Sequence, residues 1–428
     1  MSWRSKWGTV WLALVMASVA ALALVSPVAA QQMCAACHSN TDMLARLAGD
    51  SAAGAALFID PEHFGHSVHA ERGFQCTTCH GDVQTYPHGD VAAVNCGTCH
   101  RSEQADLSRS IHGTAYAESG EIPATCADCH TAHDILHVED PDATVYRMTQ
   151  FEICATCHSD PEHMGRFGQD NVQAVRTYLS SVHARGLVDK GLSIAPVCTD
   201  CHGNGEGAHR IVAVSDTASH MNREHVAESC GRCHVGIKTQ WLQGIHGSSF
   251  AAGNRDVPTC TNCHGEHAVQ AITNPASTVY PTHVAQTCTA CHDREELNDR
   301  YDLPTSRGRT FQQSFHGVAL AGGQMTVANC ESCHGAHGIL PSSNPRSRIY
   351  PANLVTTCGG CHPGIGSGVA QGKIHVASVR QDIGTLAWWV QAFYFAIIGG
   401  IVLYGAALIA LDQYRHRVVD PRREGHHA

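Results

Sequence analysis

All 22 cysteines of this 428-residue chain fall in eleven C-x-x-C-H motifs, and no cysteine is left over. The pairs are Cys34 and Cys37, Cys76 and Cys79, Cys96 and Cys99, Cys126 and Cys129, Cys154 and Cys157, and Cys198 and Cys201. They continue with Cys230 and Cys233, Cys260 and Cys263, Cys288 and Cys291, Cys330 and Cys333, and Cys358 and Cys361. The histidines that follow directly are His38, His80, His100, His130, His158, His202, His234, His264, His292, His334 and His362. This spacing suits haem c: two thiols form thioethers with the vinyl groups, and the adjacent imidazole ligates iron from one face. Structural zinc wants four ligands per ion and no obligatory histidine, and a disulfide framework gives the histidines no role. Eleven covalently attached haems c, with their iron, are the cofactors read from the motifs.

A haem iron has a second axial position, and what fills it separates electron transfer from chemistry on a substrate. Internal repeats supply the candidates. Residues 110–158, 244–292 and 314–362 align in register, beginning SIHG, GIHG and SFHG. In each, a first histidine (His112, His246, His316) stands 14 residues before a motif, and a second motif follows 28 residues after the first. A further histidine lies three residues beyond the first motif's own: His133, His267 and His337. Residues 181–234 read as a stretched copy with His183 and His209, and 67–100 as a shortened copy with His69 and His88. The first motif stands apart as half a module, and the segment around His375 resembles the upstream part of a further module. The distal set is thus His69, His88, His112, His133, His183, His209, His246, His267, His316, His337 and His375. His66, His225 and His283 are alternatives to members of that set; the remaining histidines read as surface or hydrogen-bonded residues.

Two nitrogen ligands on every iron leave no coordination position for substrate and give low potentials. The expectation is an electron carrier or an electron-transfer subunit with no catalytic residue, rather than an enzyme in its own right. A multihaem reductase of a nitrogen or sulfur oxyanion would need one open site, for which the first motif is the best candidate. A subunit of an extracellular cytochrome filament is the third reading, disfavoured by the C-terminal span described next.

The elements that must position these ligands follow from the rest of the chain. Residues 1–30 have a basic start, an apolar stretch and small residues at Val28, Ala29 and Ala30, the layout of a cleaved secretory signal; an uncleaved anchor is the alternative. Residues 31–66 form the half module, 67–375 five two-haem modules, and 376–384 a linker. Residues 385–411 hold 27 residues without a charge, about 40 Å of helix and enough to span a bilayer. Arg415, Arg417, Arg422 and Arg423 in the tail 412–428 place that tail in the cytoplasm and the large domain outside. The location read from this is the inner membrane, with one C-terminal span and the haem domain facing the periplasm or exterior. Between the ends, the sequence is rich in small residues and histidine and lacks long periodic apolar runs, so the porphyrins must supply the core. The fold class expected is mainly α with extensive irregular loops, built of repeated two-haem modules, plus one transmembrane helix.

The C-x-x-C-H array and the SxHG and CHGxH segments resemble the multihaem c-type cytochromes, in particular membrane-anchored periplasmic members. The arrangement GKIHV, one helix and a short basic tail resembles subunits that pair with a quinol-oxidising membrane cytochrome b. The resemblance implies that membrane partner on one side and a periplasmic or extracellular redox protein on the other. No nucleic-acid partner is expected for a chain of net charge −10 whose haems would add propionates.

Overall fold

The computed structural model describes residues 27–115, 120–168, 172–203, 207–370, 373–377 and 383–419. Most of the predicted secretory signal, part of the 376–384 linker and the end of the basic tail lie outside these residues. Among the described residues the structure is helix and irregular connection, with no strand. Two compact units result: Met1–Ser229 with Glu266–Val269, and Cys230–Gly265 with Gln270–Ala428.

Only seventeen apolar side chains are buried among the described residues, and four of these are alanines. A polypeptide core this small does not close a domain of some 340 residues, which ordinarily buries about 70–75% of its unfolded surface. Local polar devices hold the chain instead, and they recur. Asp140, Asp216, Asn274 and Asn344 each accept a hydrogen bond from the backbone N–H two residues on, at 2.8–2.9 Å. These four Asx turns fall between successive motifs, and Asp216 puts the stretched copy 181–234 in the same local conformation as its three relatives.

Most of the motifs adopt one of two local forms; the Cys96 motif is instead a 3-10 turn, Cys96–Thr98. Five of them start a helix of four or five residues: Cys76–Cys79, Cys126–His130, Cys198–His202, Cys260–His264 and Cys330–His334. In these, the residue before the second cysteine reaches back to the backbone N–H ahead of the helix. The bonds are Gln75 N–H to Thr78 Oγ1, Thr125 to Asp128, Val197 to Asp200, Thr259 to Asn262 and Asn329 to Ser332, at 2.6–3.1 Å. A side chain at this third helical position satisfies an N–H that the helix cannot. The other form sits at the C-terminal end of a longer helix, as in Pro27–His38, Gln150–His158 and Val284–His292.

The glycine of SIHG, GIHG and SFHG has a steric reason. A methyl group at Gly113, Gly247 or Gly317 would strike the carbonyl oxygen of Leu107, Trp241 or Phe311, respectively. The helix bearing the upstream histidine therefore turns directly against the segment before it. The helix Thr385–Tyr414 is 30 residues long and apolar, and none of it is buried. By length and composition it is able to cross a membrane.

Candidate functional site

The upstream histidines His69, His183 and His316 stand at the first turn of short helices capped by serines, of which Ser67 and Ser181 are buried and Ser314 half-buried. Ser67, Ser181 and Ser314 accept from the N–H of Ala70, Ala184 and Gly317 at 3.1–3.2 Å. The residue between serine and histidine then bonds to a distant segment. Val68 N–H donates to Ile135 O, Ile111 to Ile211 O, Val182 to Val269 O and Ile245 to Ile339 O, at 2.7–2.8 Å. Each acceptor lies two residues after a downstream histidine, namely His133, His209, His267 and His337. One clamp therefore fixes both kinds of candidate distal ligand relative to each other. Ser110, fully buried, adds two further bonds to its clamp: its hydroxyl donates to Ile211 O at 3.0 Å and accepts from Ile211 N–H at 3.1 Å.

Within each unit the imidazoles face one another in pairs. The downstream class comprises His38 with His88, His80 with His133, His130 with His209, His202 with His267, and His264 with His337. The upstream class comprises His69 with His100, His112 with His158, His246 with His292, and His316 with His362. His334 faces His375. Ring centres are 5.7 Å apart for His38 and His88, 6.4 Å for His334 and His375, and between these limits elsewhere. Directly stacked rings would touch at about 3.5–4.0 Å, so these spacings are too long for mutual contact. Two imidazoles sharing one metal at bonds of about 2.0–2.1 Å place their ring centres roughly 6.3 Å apart. The pairs fit a metal held between two nitrogens. No group of three or more histidines, cysteines or carboxylates suited to a metal occurs among the described residues.

The pairing has a rule that sequence order hides. An upstream histidine faces the second motif of its own repeat, whereas a downstream histidine faces the first motif of the preceding repeat. His337, three residues after His334, faces His264 instead. The segment around His375 corrects the sequence-based expectation. It was expected to act as an upstream part, yet His375 faces His334 as His337 faces His264, which is the downstream role. Its Nδ1 is hydrogen-bonded to Thr310 Oγ1 at 3.0 Å, leaving Nε2 toward His334. His183 and His234 belong to different units.

The alternatives weighed from the sequence are placed elsewhere. His225 Nε2 bonds to Thr217 O and His283 Nδ1 to Ser277 O, so both staple the Asx-turn loops. It is His69, not His66, that faces His100. Burial pushes His112 and His246 down to about 4, with the facing imidazoles His158 and His292 adding to the effect. Burial likewise lowers His130, His133, His202, His264, His292, His334, His337 and His375. Burial opposes the imidazolium form, and a neutral imidazole is the form that ligates iron.

The thiols report which motifs are neighbours. Donating a hydrogen bond to Cys198 raises the Cys154 thiol, and donating one to Cys330 raises Cys288. Contact with Cys230 brings Cys260 down to about 7. Burial and then the adjoining Cys34 raise Cys76, as burial and Cys96 raise Cys126. In every case the first cysteine of one motif meets the first cysteine of the next. The second cysteines continue the series: Cys79 lies near Cys96 and Cys99, Cys129 near Cys157, Cys263 near Cys288 and Cys291, and Cys333 near Cys358 and Cys361. Within each unit, motifs that follow one another in sequence are thus side by side in space.

The pairing rule, the clamps and Thr310 were not foreseen from the sequence. The buried serine of SIHG and SVHA was the available signal for the clamps.

No curated protein and no solved structure matches the chain. Residues 68–159, which hold four of the motifs, match a family model described as Cytochrome c3. That match and the paired cysteines support a multihaem c-type cytochrome, a haem-binding electron-transfer protein.

Proposed function

We propose that the chain is an undecahaem cytochrome c, anchored by its C-terminal helix, that relays electrons between the quinol pool and periplasmic or extracellular acceptors. A cytochrome b-like quinol-oxidising subunit is the proposed membrane partner, and a periplasmic or extracellular redox protein the other. Bound haem c supplies a one-electron iron couple at each C-x-x-C-H motif. The chain's own residues do the rest. Both cysteines of a motif tether, the adjacent histidine ligates from one face, and the facing histidine ligates from the other. The observation that carries this reading is the set of ten facing histidine pairs, each joining a motif histidine to one of the repeat-position histidines. With two imidazoles committed at each of these ten sites, no position is left there for a small substrate. His88 opposite His38 speaks against the open-site reductase reading, for which the first motif was the best candidate.

Neighbouring thiols keep successive attachment sites adjacent, as a relay requires. His375 lies ten residues before the helix Thr385–Tyr414, a sequence proximity that supports a His334 site near the membrane surface, where a quinol-oxidising partner would reach it. The test is carbon monoxide binding to the fully reduced protein, followed by reoxidation with nitrite, sulfite and ferric chelates. A carrier shows no stoichiometric carbon monoxide adduct and is reoxidised by the ferric chelate. One adduct per chain with turnover of an oxyanion would overturn the proposal.

A further inference from the structure

The ten facing pairs differ in one respect that the ligand identities alone do not reveal: the angle between the two ring planes. Five pairs of the downstream class are near-parallel, at 16° for His38 and His88, 28° for His80 and His133, 27° for His130 and His209, 13° for His202 and His267, and 16° for His264 and His337. The four upstream pairs are crossed, at 69° for His69 and His100, 65° for His112 and His158, 45° for His246 and His292, and 44° for His316 and His362. His334 and His375, at 46°, join the crossed group. In nine of the ten pairs the division follows backbone origin; His334 with His375, a downstream-role pair that is crossed, is the exception. A near-parallel pair takes a downstream histidine, and four of the five set it against the end of a capped four- or five-residue helix. Three of the four second-motif pairs take their upstream histidine from the first turn of a helix, and His112 lies in the corresponding turn.

We infer that the protein carries two electronic classes of bis-histidine haem, near-parallel and crossed, which alternate from the His80 site to the His202 site and again from the His264 site to the His292 site. They alternate because repeats 67–100, 110–158 and 244–292 each contribute one of each kind, whereas the last repeat contributes two crossed sites, at His334 and His362. This rests on the ligation proposed above. The physical reason is orbital. The π orbital of an imidazole interacts with the iron d orbital perpendicular to its ring plane. Parallel rings act on the same d orbital and separate it in energy from its partner. Crossed rings act on both and leave them close, so a low-spin ferric ion retains orbital angular momentum and a strongly anisotropic g tensor. Axial-ligand arrangement also tunes the potential, so alternation corrugates the relay.

Thr310 is a positioning residue in this scheme. Its hydroxyl holds His375 Nδ1 at 3.0 Å while also donating to the carbonyl oxygens of Ser306 and Arg307, and its side chain is buried. That bond fixes the ring rotation of His375, and the other pair on the same repeat is set independently.

The experiment is near-infrared magnetic circular dichroism and low-temperature EPR on one sample of the fully oxidised holoprotein, with Thr310→Val and Thr310→Ser variants alongside. The charge-transfer band identifies bis-imidazole ligation whatever the ring angle, and EPR reads the angle. The expected result is bis-imidazole ligation throughout, a rhombic low-spin population for the near-parallel sites, and a separate low-field, highly anisotropic population. The low-field signal should integrate to at least the two most crossed sites, His69 with His100 and His112 with His158. Thr310→Val should displace the signal of one haem per chain, and Thr310→Ser should restore it. A single rhombic population with bis-imidazole ligation intact would overturn this inference alone. A band of any other ligand set would overturn the ligation proposal and this inference with it. No displacement in Thr310→Val would remove Thr310 from the scheme.

Discussion

Ser110→Ala tests whether the clamps hold the distal ligands in place. The hydroxyl is fully buried and makes two hydrogen bonds to Ile211, at 3.0 and 3.1 Å, beside the backbone bond from Ile111 N–H to Ile211 O at 2.8 Å. Alanine removes both side-chain bonds, and a third from the His112 N–H at 3.3 Å, and leaves the Ile211 N–H, in a part-buried site, without its acceptor. A lost hydrogen bond costs about 1 kcal/mol net, and a buried group left unsatisfied about 1–3 kcal/mol. Together these give about 2–4 kcal/mol, or roughly a 30- to 1,000-fold rise in local opening. The assay is native-state hydrogen exchange on the holoprotein, read on peptides covering 207–213 and 108–115. Both should exchange faster by that factor, and a high-spin ferric signal should grow as His209 loses its hold opposite His130. Ser248→Ala is the control, since its exposed hydroxyl bonds only within its own helix, to Ile245 O. Exchange within threefold of wild type at Ile211 would refute the clamp as the device that positions His209.

Other expectations follow from the same geometry. Gly317→Ala places a methyl group against the Phe311 carbonyl and should cost about 1–3 kcal/mol in denaturant unfolding, whereas Ala184→Gly at the equivalent position of the SVHA copy should relieve no clash. His375→Ala should create one high-spin, carbon monoxide-binding haem per chain by exposing the site of His334, with the His316 and His362 pair unchanged. Arg147→Ala removes a guanidinium that donates to both Asp200 carboxylate oxygens and to the Ser193 and Ala195 carbonyls. It should lower the unfolding midpoint more than Arg109→Ala, an exposed guanidinium whose partner is one i−3 aspartate. Lowering the pH should leave His112 and His246 as ligands well below the ordinary histidine value. Both are held down to about 4, so the stability that depends on their neutral form is present above 6.5 and declines as pH falls from 6.5 through about 4. Denaturant unfolding should show that decline; a midpoint unchanged between pH 7 and pH 4 would contradict the burial of these two imidazoles.

What could be read from the sequence was local, and what could not was long-range. The motifs, the repeated SxHG and CHGxH segments and the absence of strand-like alternation are patterns within a few tens of residues, and each has its counterpart in capped short helices, serine caps and Asx turns. The identity of the facing partner is a different kind of fact. The Ile111 to Ile211 bond joins residues a hundred positions apart, and nothing in the spacing of His133 says that it faces His80 rather than His130. The segment at His375 shows the limit well. Its sequence, GKIHV, looks like a helix-starting SIHG, yet its role is set by the helix Arg307–Gln312 it meets, through Thr310, and not by its own residues. The angle between paired rings is further from the sequence still, because it depends on two backbones at once.

The central claim, eleven haems each held between two histidines, is tested most directly by low-temperature EPR on the fully oxidised protein with haem quantified on the same sample. The account predicts eleven haems per chain and no stoichiometric high-spin ferric signal. Fewer haems, or one high-spin iron per chain, would contradict it and move the reductase reading to the front.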